Sequence, residues 1–340
     1  MKSRLRQFQF VISLILTISV MVYFLSKVEL KAIAQAIANA SLSWIVMGFL
    51  GFNIYQIFRT ARFSVLIHSR KGELFNLFSI QCIHGFLNNV LPAGTGELAY
   101  IVVLKRLHRI PVAEGVTTLY LARTADFAVF VLLFGFLHLF NLVELPGVVT
   151  TALQWIEVLT VFLVGLAIIV TFAGHSIMNK VRLAVQPHID AWPTWLRLVS
   201  DKISETIDSF GAVRSIPVYL LVFLYSIAMW GFMYLTYFAV IRSIQLDLTL
   251  GEVLFLFLVM WPITILPIKG VLNLGTFEGG WVLGLSLLGV SQSTAIAVAL
   301  SAHTIIFVYV IGALIFPFVL YSPSLIKNFL KSSFYSVARR

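Results

Sequence analysis

Charge is scarce in this chain. Only 11% of its 340 residues are charged and 60% are apolar, where a soluble domain carries about 25% charged residues. With a mean hydropathy of +0.97, that shortage excludes a water-soluble enzyme, and it excludes disorder. Cysteine is nearly missing too. The single Cys82 rules out an intrachain disulfide and a cysteine metal cluster. His84, His138 and His303 stand isolated, with no second ligand at helical spacing, so no metal is expected. No His-Glu-x-x-His, Gly-x-Ser-x-Gly, Walker loop, Gly-x-Gly-x-x-Gly or Asp-x-Asp occurs. The chain is therefore expected to be neither an enzyme nor a cofactor carrier.

What the sequence holds in abundance is long apolar runs. Six are long enough to cross about 30 Å of hydrocarbon: Phe8–Leu25, Leu42–Phe58, Val112–Leu137, Ala152–Phe172, Ile216–Ile241 and Ala295–Leu320. Two further apolar regions, Leu74–Leu104 and Val253–Val290, are interrupted. The first is broken by Asn88-Asn89-Val90-Leu91-Pro92-Ala93-Gly94-Thr95-Gly96-Glu97, the second by Leu266-Pro267-Ile268-Lys269-Gly270 and onward to Glu278. Pro and Gly at that depth leave backbone groups unpaired, which is tolerated only inside protein or beside a water-filled cavity. Both regions are predicted to be re-entrant hairpins. The fold class is an all-α polytopic membrane protein, with six full spans plus two re-entrant hairpins in one integral domain over residues 1–340.

The basic residues test that layout. Lys and Arg number 24 against 14 acidic residues, a net charge of +10. In a membrane chain this excess reflects basic cytoplasmic loops rather than a nucleic acid partner. With the amino terminus cytoplasmic and each hairpin returning to its side of entry, nineteen basic residues fall inside. Only Lys27, Lys31 and Arg242 fall outside, and Arg123 and Lys269 sit at membrane depth. That is the positive-inside pattern. Both termini are then cytoplasmic in a multi-pass protein of the cell (inner) membrane. Lys2, Arg4 and Arg6 before Phe8–Leu25 resemble a signal peptide, but the nearest small-x-small site, Ala36/Ala38/Ala40, is too distant, so an uncleaved first helix is expected. Residues 175–215 interleave charged and apolar side chains and read as a cytoplasmic amphipathic connector.

The two broken regions look related. Each has a Leu-Pro break, then a Gly-rich turn ending in glutamate, a short apolar helix and a long span. Glu97 and Arg123 are 26 residues apart; Glu278 and His303 are 25 apart. The helix–hairpin–helix unit thus occurs over residues 42–137 and again over 216–320. Three crossings separate the two starts, so the second unit is inverted, which is a transporter pattern.

Glu97, Arg123, Asp126, Lys269, Glu278 and His303 are ionisable groups in or near hydrocarbon. Each would cost several kcal/mol there if unpaired, so such residues usually face a protein interior. Arg123 and Asp126, three apart on one helix face, are placed to pair, and Lys269 and Glu278 flank one tip. Thr95-Gly96-Glu97 and Thr276-Phe277-Glu278 each open a half-helix. Two compatible readings apply: Thr and Glu cap the helix start, or the free N–H groups there receive an anionic headgroup. Asn88 and Asn89 satisfy broken backbone or bond a substrate. Arg59 and Arg62, at the cytoplasmic end of a span, read as snorkelling to headgroups.

Asn88–Glu97 with Arg123 downstream, and Leu266–Glu278 followed by Leu288-Gly289-Val290 and an Ala-rich span, resemble the lysylphosphatidylglycerol synthase transmembrane-domain family, the flippase-like domain proteins. The resemblance runs from Leu42 to Leu320. It implies translocation of an anionic, aminoacylated or isoprenoid-linked lipid between leaflets. The ionisable residues Glu97, Arg123, Asp126, Lys269, Glu278 and His303, with Asn88, Asn89, Thr95 and Gly96 at the first tip, are the candidates to line its path. The synthase activity of the family name belongs to a separate soluble domain, and only twenty residues follow Leu320, so that activity is not expected here. Membrane lipids are the expected partners, with a lipid-modifying enzyme or a second copy of the chain as further candidates. The competing reading is a non-transporting accessory subunit that presents a lipid to a partner enzyme.

Overall fold

The computed structural model describes residues 15, 17–27, 30–67, 74–91, 95–185, 193, 215–265 and 270–320. Every regular element among them is helical: α1 Thr17–Lys27, α2 Leu30–Ala38, α3 Leu42–Leu66, α4 Leu74–Val90, α5 Thr95–His108, α6 Val112–Leu139 and α7 Gly147–Val185. Then follow α8 Ile216–Ser243, α9 Leu250–Ile265, a 3₁₀ turn Val271–Asn273, α10 Thr276–Leu287, α11 Gln292–Ala313 and α12 Ile315–Leu320. Four stretches of the described residues are long and apolar enough to cross a membrane: Val112–Leu139, Gly147–Ile169, Ile216–Ser243 and Gln292–Pro317. The chain is an all-α membrane protein.

The helix ends fall at the punctuation in the sequence. α4 stops at Val90 and α5 begins at Thr95, flanking Pro92 and Gly94. At 17 and 14 residues, these two are about 25 and 21 Å long, each short of the hydrocarbon thickness. α9 and α10 are shorter than a crossing as well, at 16 and 12 residues. α7 continues to Val185, 39 residues in all, so the helix of the fourth predicted span runs on into the first residues of the expected connector. No proline interrupts the chain between Pro146 and Pro187, so nothing in the backbone stops the helix. The rest of the connector, apart from Pro193 and Ser215, lies outside the described residues, as do most of residues 8–16 of the first predicted span.

Two compact units emerge. One comprises residues 1–56, 78–100 and 231–340, the other residues 57–77 and 101–230. In the first, α9 is its most enclosed helix: Val253 through Leu258, Met260 and Trp261 are all buried. A helix apolar on every side belongs inside a bundle. Lipid offers Leu side chains about as good an environment as protein does, so close packing must hold such helices together. Gly280 and Gly284, four apart on α10, supply it by letting α10 approach Met260 and Leu256 of α9. Trp281, fully buried between them in sequence, stacks on Tyr237 of α8 at 5.4 Å. α1, α2 and α11 close the unit through Phe24, Ile296 and Leu300, with Val20, Ile33 and Val282 packed around them.

In the second unit α6 packs along α7, and Tyr120 of α6 donates to the carbonyl of Ala167 at 3.0 Å. α7 turns nearly all of its span outward: Trp155, Val158, Leu159 and Phe162 are exposed, as suits a lipid-facing helix.

At the first break Gly96 brings the start of α5 against α4 so closely that a Cβ there would run into the backbone of Asn88, whose N would lie only 2.9 Å away. Gly279, by contrast, faces open space. Gly96→Ala is expected to lower stability by about 1–3 kcal/mol, and Gly279→Ala to leave it unchanged or raise it by up to about 1 kcal/mol. Thermal unfolding of both variants in one detergent measures this. Equal losses would contradict the close approach at Gly96.

Candidate functional site

Two buried polar clusters stand out, one in each unit. In the unit containing α6, Asp126 is 1% exposed. A carboxylate so placed is stable only when surrounded by donors, and three side chains from three helices supply them. Arg62 of α3 bonds Oδ1; Trp230 of α8 donates Nε1–H to the same oxygen at 2.7 Å; Arg123, one turn back on α6, reaches Oδ2 at 3.3 Å. Arg62 also donates to the Ser226 hydroxyl at 3.1 Å, and that hydroxyl passes its own hydrogen to the Val222 carbonyl at 2.8 Å. Phe130 packs edge-on to the Trp230 ring at 4.9 Å and fixes the indole.

The predicted Arg123–Asp126 pair is therefore present, but Asp126 holds a second arginine that the sequence reading sent elsewhere. Arg62 does not snorkel to headgroups. It is 3% exposed, because the buried carboxylate offers it a far better partner than a lipid surface would. α3 runs four residues past Arg62 to Leu66, so the arginine is not at a helix end, and in the sequence neither it nor Trp230 or Ser226 was marked as a partner of Asp126.

The second cluster lies in the unit containing α10. Glu278 is fully buried, at N3 of α10. Its Oε2 accepts the N–H of the N-cap Gly275 at 2.7 Å, and its Oε1 lies 2.5 Å from His303 Nδ1 on α11. One carboxylate so ties the helix start to the neighbouring helix. Gly275 has φ +81°, and Leu272 and Asn273 just before it are also left-handed, at 57° and 59°. Three such residues in four cost energy that local bonds must offset. Side chains supply those bonds: Gly270 N–H donates to Thr276 Oγ1 at 2.9 Å and Val271 N–H to Thr17 Oγ1 at 3.1 Å. The imidazole of His303 rests against Phe277 at 4.7 Å and Phe307 at 6.4 Å. His303, which looked isolated in sequence, is thus Glu278's partner. Lys269, the expected partner, lies outside the described residues.

At the first tip the structure is plainer. Glu97 is half-buried in the first turn of α5, Thr95 is exposed and Gly96 buried. Asn89 donates to the Gly85 carbonyl at 2.9 Å, which favours its structural role, and Asn88 is half-buried beside Gly96. One membrane carboxyl escaped the sequence reading. Glu157, ten residues into α7, is half-buried, and its Oε1 would lie 3.5 Å from a Cβ at Gly135 of α6. Among the described residues no group of three or more His, Cys, Asp or Glu could hold a metal ion.

Residues 10–314 match the family model of the lysylphosphatidylglycerol synthase TM region. Comparison with curated proteins and with solved structures returns no match. The match spans most of the chain's 340 residues, and the chain belongs to this family, a flippase-like membrane domain.

Asp126→Asn removes the charge that holds Arg62 and is expected to cost about 3–5 kcal/mol. Arg62→Met in the same chain should recover part of that loss, since the buried cation goes with its partner. A double-mutant cycle read by detergent unfolding checks it; losses that simply add would contradict the coupling.

Proposed function

We propose that this chain is a lipid translocase, a transporter and not an enzyme, that moves an anionic, aminoacylated or isoprenoid-linked lipid between the leaflets of the cell membrane. In this reading the helix breaks between α4 and α5 and between α9 and α10 are the tips of two re-entrant hairpins. The two helix–hairpin–helix repeats, residues 42–137 and 216–320, are inverted with respect to each other, and both termini are cytoplasmic. The headgroup passes the charged residues of the tips and of α6 while the tails stay in the bilayer.

The observation that carries the reading is Glu278, a fully buried carboxylate in the first turn of a half-helix. A helix start inside a membrane domain concentrates polar groups where lipid cannot satisfy them, and transporters put such starts at their substrate sites. Glu97 occupies the corresponding first-turn place in α5. Further support comes from the nineteen-to-three division of basic residues between the two sides and from the flippase-like character of the family. The capping reading and the transport reading coincide at Glu278, because the carboxylate that caps α10 is also the one bonded to His303.

The test is lipid movement in vesicles reconstituted with the purified chain, followed with a fluorescent acidic phospholipid and a quencher added outside. Wild-type protein should equilibrate the leaflets. Glu97→Gln and Glu278→Gln should each slow this by at least about tenfold, the worth of one charge-assisted hydrogen bond at about 1.5 kcal/mol. Undiminished movement by a folded double Gln variant would remove both residues from the mechanism. Tight co-purification of a lipid with no movement would favour the accessory-subunit reading.

A further inference from the structure

The Glu278–His303 pair has a geometry that capping alone does not require. A capping glutamate needs one oxygen on the N-cap N–H, and Oε2 meets that need at Gly275. The other oxygen is committed to an imidazole on a different helix, 25 residues away in sequence. A carboxylate on Nδ1 fixes the tautomer and ring orientation. Among the described residues the far nitrogen, Nε2, meets no bonded partner, and the side chain keeps about a tenth of its surface accessible while Glu278 keeps none.

We infer that Glu278 and His303 form a proton-binding site, loaded and emptied at His303 Nε2, that couples lipid movement to the transmembrane proton gradient. The inference rests on the translocation reading and names the ion that drives it. With Nε2 bare, the pair carries the single negative charge of Glu278. Uptake of one proton from water at Nε2 turns the imidazole into imidazolium and leaves a net-neutral ion pair; release returns the proton to water and restores the charge. The neutral pair is the form that tolerates a dry site, since an uncompensated buried carboxylate costs several kcal/mol. Glu278 is fully buried here, so this arrangement corresponds to the loaded state. Release therefore requires water to reach the pair, and water reaching Glu278 competes for the Gly275 N–H that its Oε2 holds. The strained turn at Leu272, Asn273 and Gly275 is released with it.

Titratable groups on the surrounding elements are engaged elsewhere. Tyr237 of α8 stacks on Trp281, Tyr234 donates to the Leu250 carbonyl, and Arg242 pairs with Asp247. Glu252 of α9 binds Thr249 at its own helix start; Tyr309 of α11 donates to the Ile45 carbonyl; Lys27 of α1 lies over Tyr23. The side chains of Lys31 and Lys269 fall outside the described residues. Among the described residues His303 is the ion partner of Glu278.

Two measurements test the inference. In ¹⁵N-histidine spectra of the purified chain, assigned by loss of one signal in His303→Gln, His303 should show a downfield-shifted Nδ1 proton and titrate at Nε2. Glu278→Gln should alter that titration, since the imidazole loses its carboxylate partner. A His303 signal that does not titrate, or titrates identically in Glu278→Gln, overturns the proton site. In phosphatidylcholine vesicles with a fluorescent phosphatidylglycerol, a gradient of about one pH unit should speed movement in one direction by up to about tenfold, the ratio of proton activities. His303→Gln should lose that response. A wild-type rate that ignores the pH gradient, or follows a sodium gradient instead, overturns the coupling. Lipid that stays immobile in wild type under every gradient overturns the translocation reading and the coupling with it, while the spectra still decide the proton site.

Discussion

A backbone N–H in hydrocarbon has no water to fall back on, so a helix can break inside a membrane domain only where side chains receive what the break exposes. At the second break Thr17, Thr276 and Glu278 accept from Val271, Gly270 and Gly275. Much else follows from that need. α1 must lie close enough for Thr17 to reach the turn, and it does so through Val20 against Gly275 and through Phe24 in the cluster with Ile296 and Leu300. α10 must start where Glu278 can turn back to Gly275, and Gly280 and Gly284 let it settle on α9 from there.

The same economy governs charge. Asp126 and Glu278 are each enclosed almost completely, and each is met by donors from other helices: Arg62 and Trp230 for Asp126, His303 for Glu278. The two sites differ in kind. Around Asp126 the partners include two arginines, whose planar guanidinium groups pair well with a carboxylate, so that cluster is an electrostatic joint between α3, α6 and α8. Around Glu278 the partner is a histidine, the one side chain that changes charge under mild conditions.

The all-helical membrane class was legible from charge scarcity and run length alone, and the breaks at Pro92 and Pro267 marked where helices stop. Periodicity also placed Arg123 and Asp126 on one face. What the sequence could not reveal is partnership across helices. Arg62 looked like a headgroup anchor because basic residues near span ends usually are, and only the fold brings a buried carboxylate within its reach. His303 looked solitary because its ligand is 25 residues away, although the matching spacing of Glu97 and Arg123 had already hinted that such intervals recur. Glu157 was overlooked because a single carboxyl in a long apolar run scarcely lowers its hydropathy; its place against Gly135 appears only when α6 and α7 are packed.

The central claim is that the two helix breaks are opposed hairpins that open to opposite sides. Side-specific thiol labelling tests it most directly, in a Cys82→Ser background that clears the chain of its one cysteine. Thr95→Cys reports the first tip from an exposed position. Gly279→Cys reports the second from a position facing open space, and it leaves Thr276 free to bind Gly270. In sealed vesicles of known orientation, Thr95→Cys should react from the cytoplasmic face and Gly279→Cys from the outer face. Reaction of both from the same face would contradict the inverted repeat, and with it the translocation pathway.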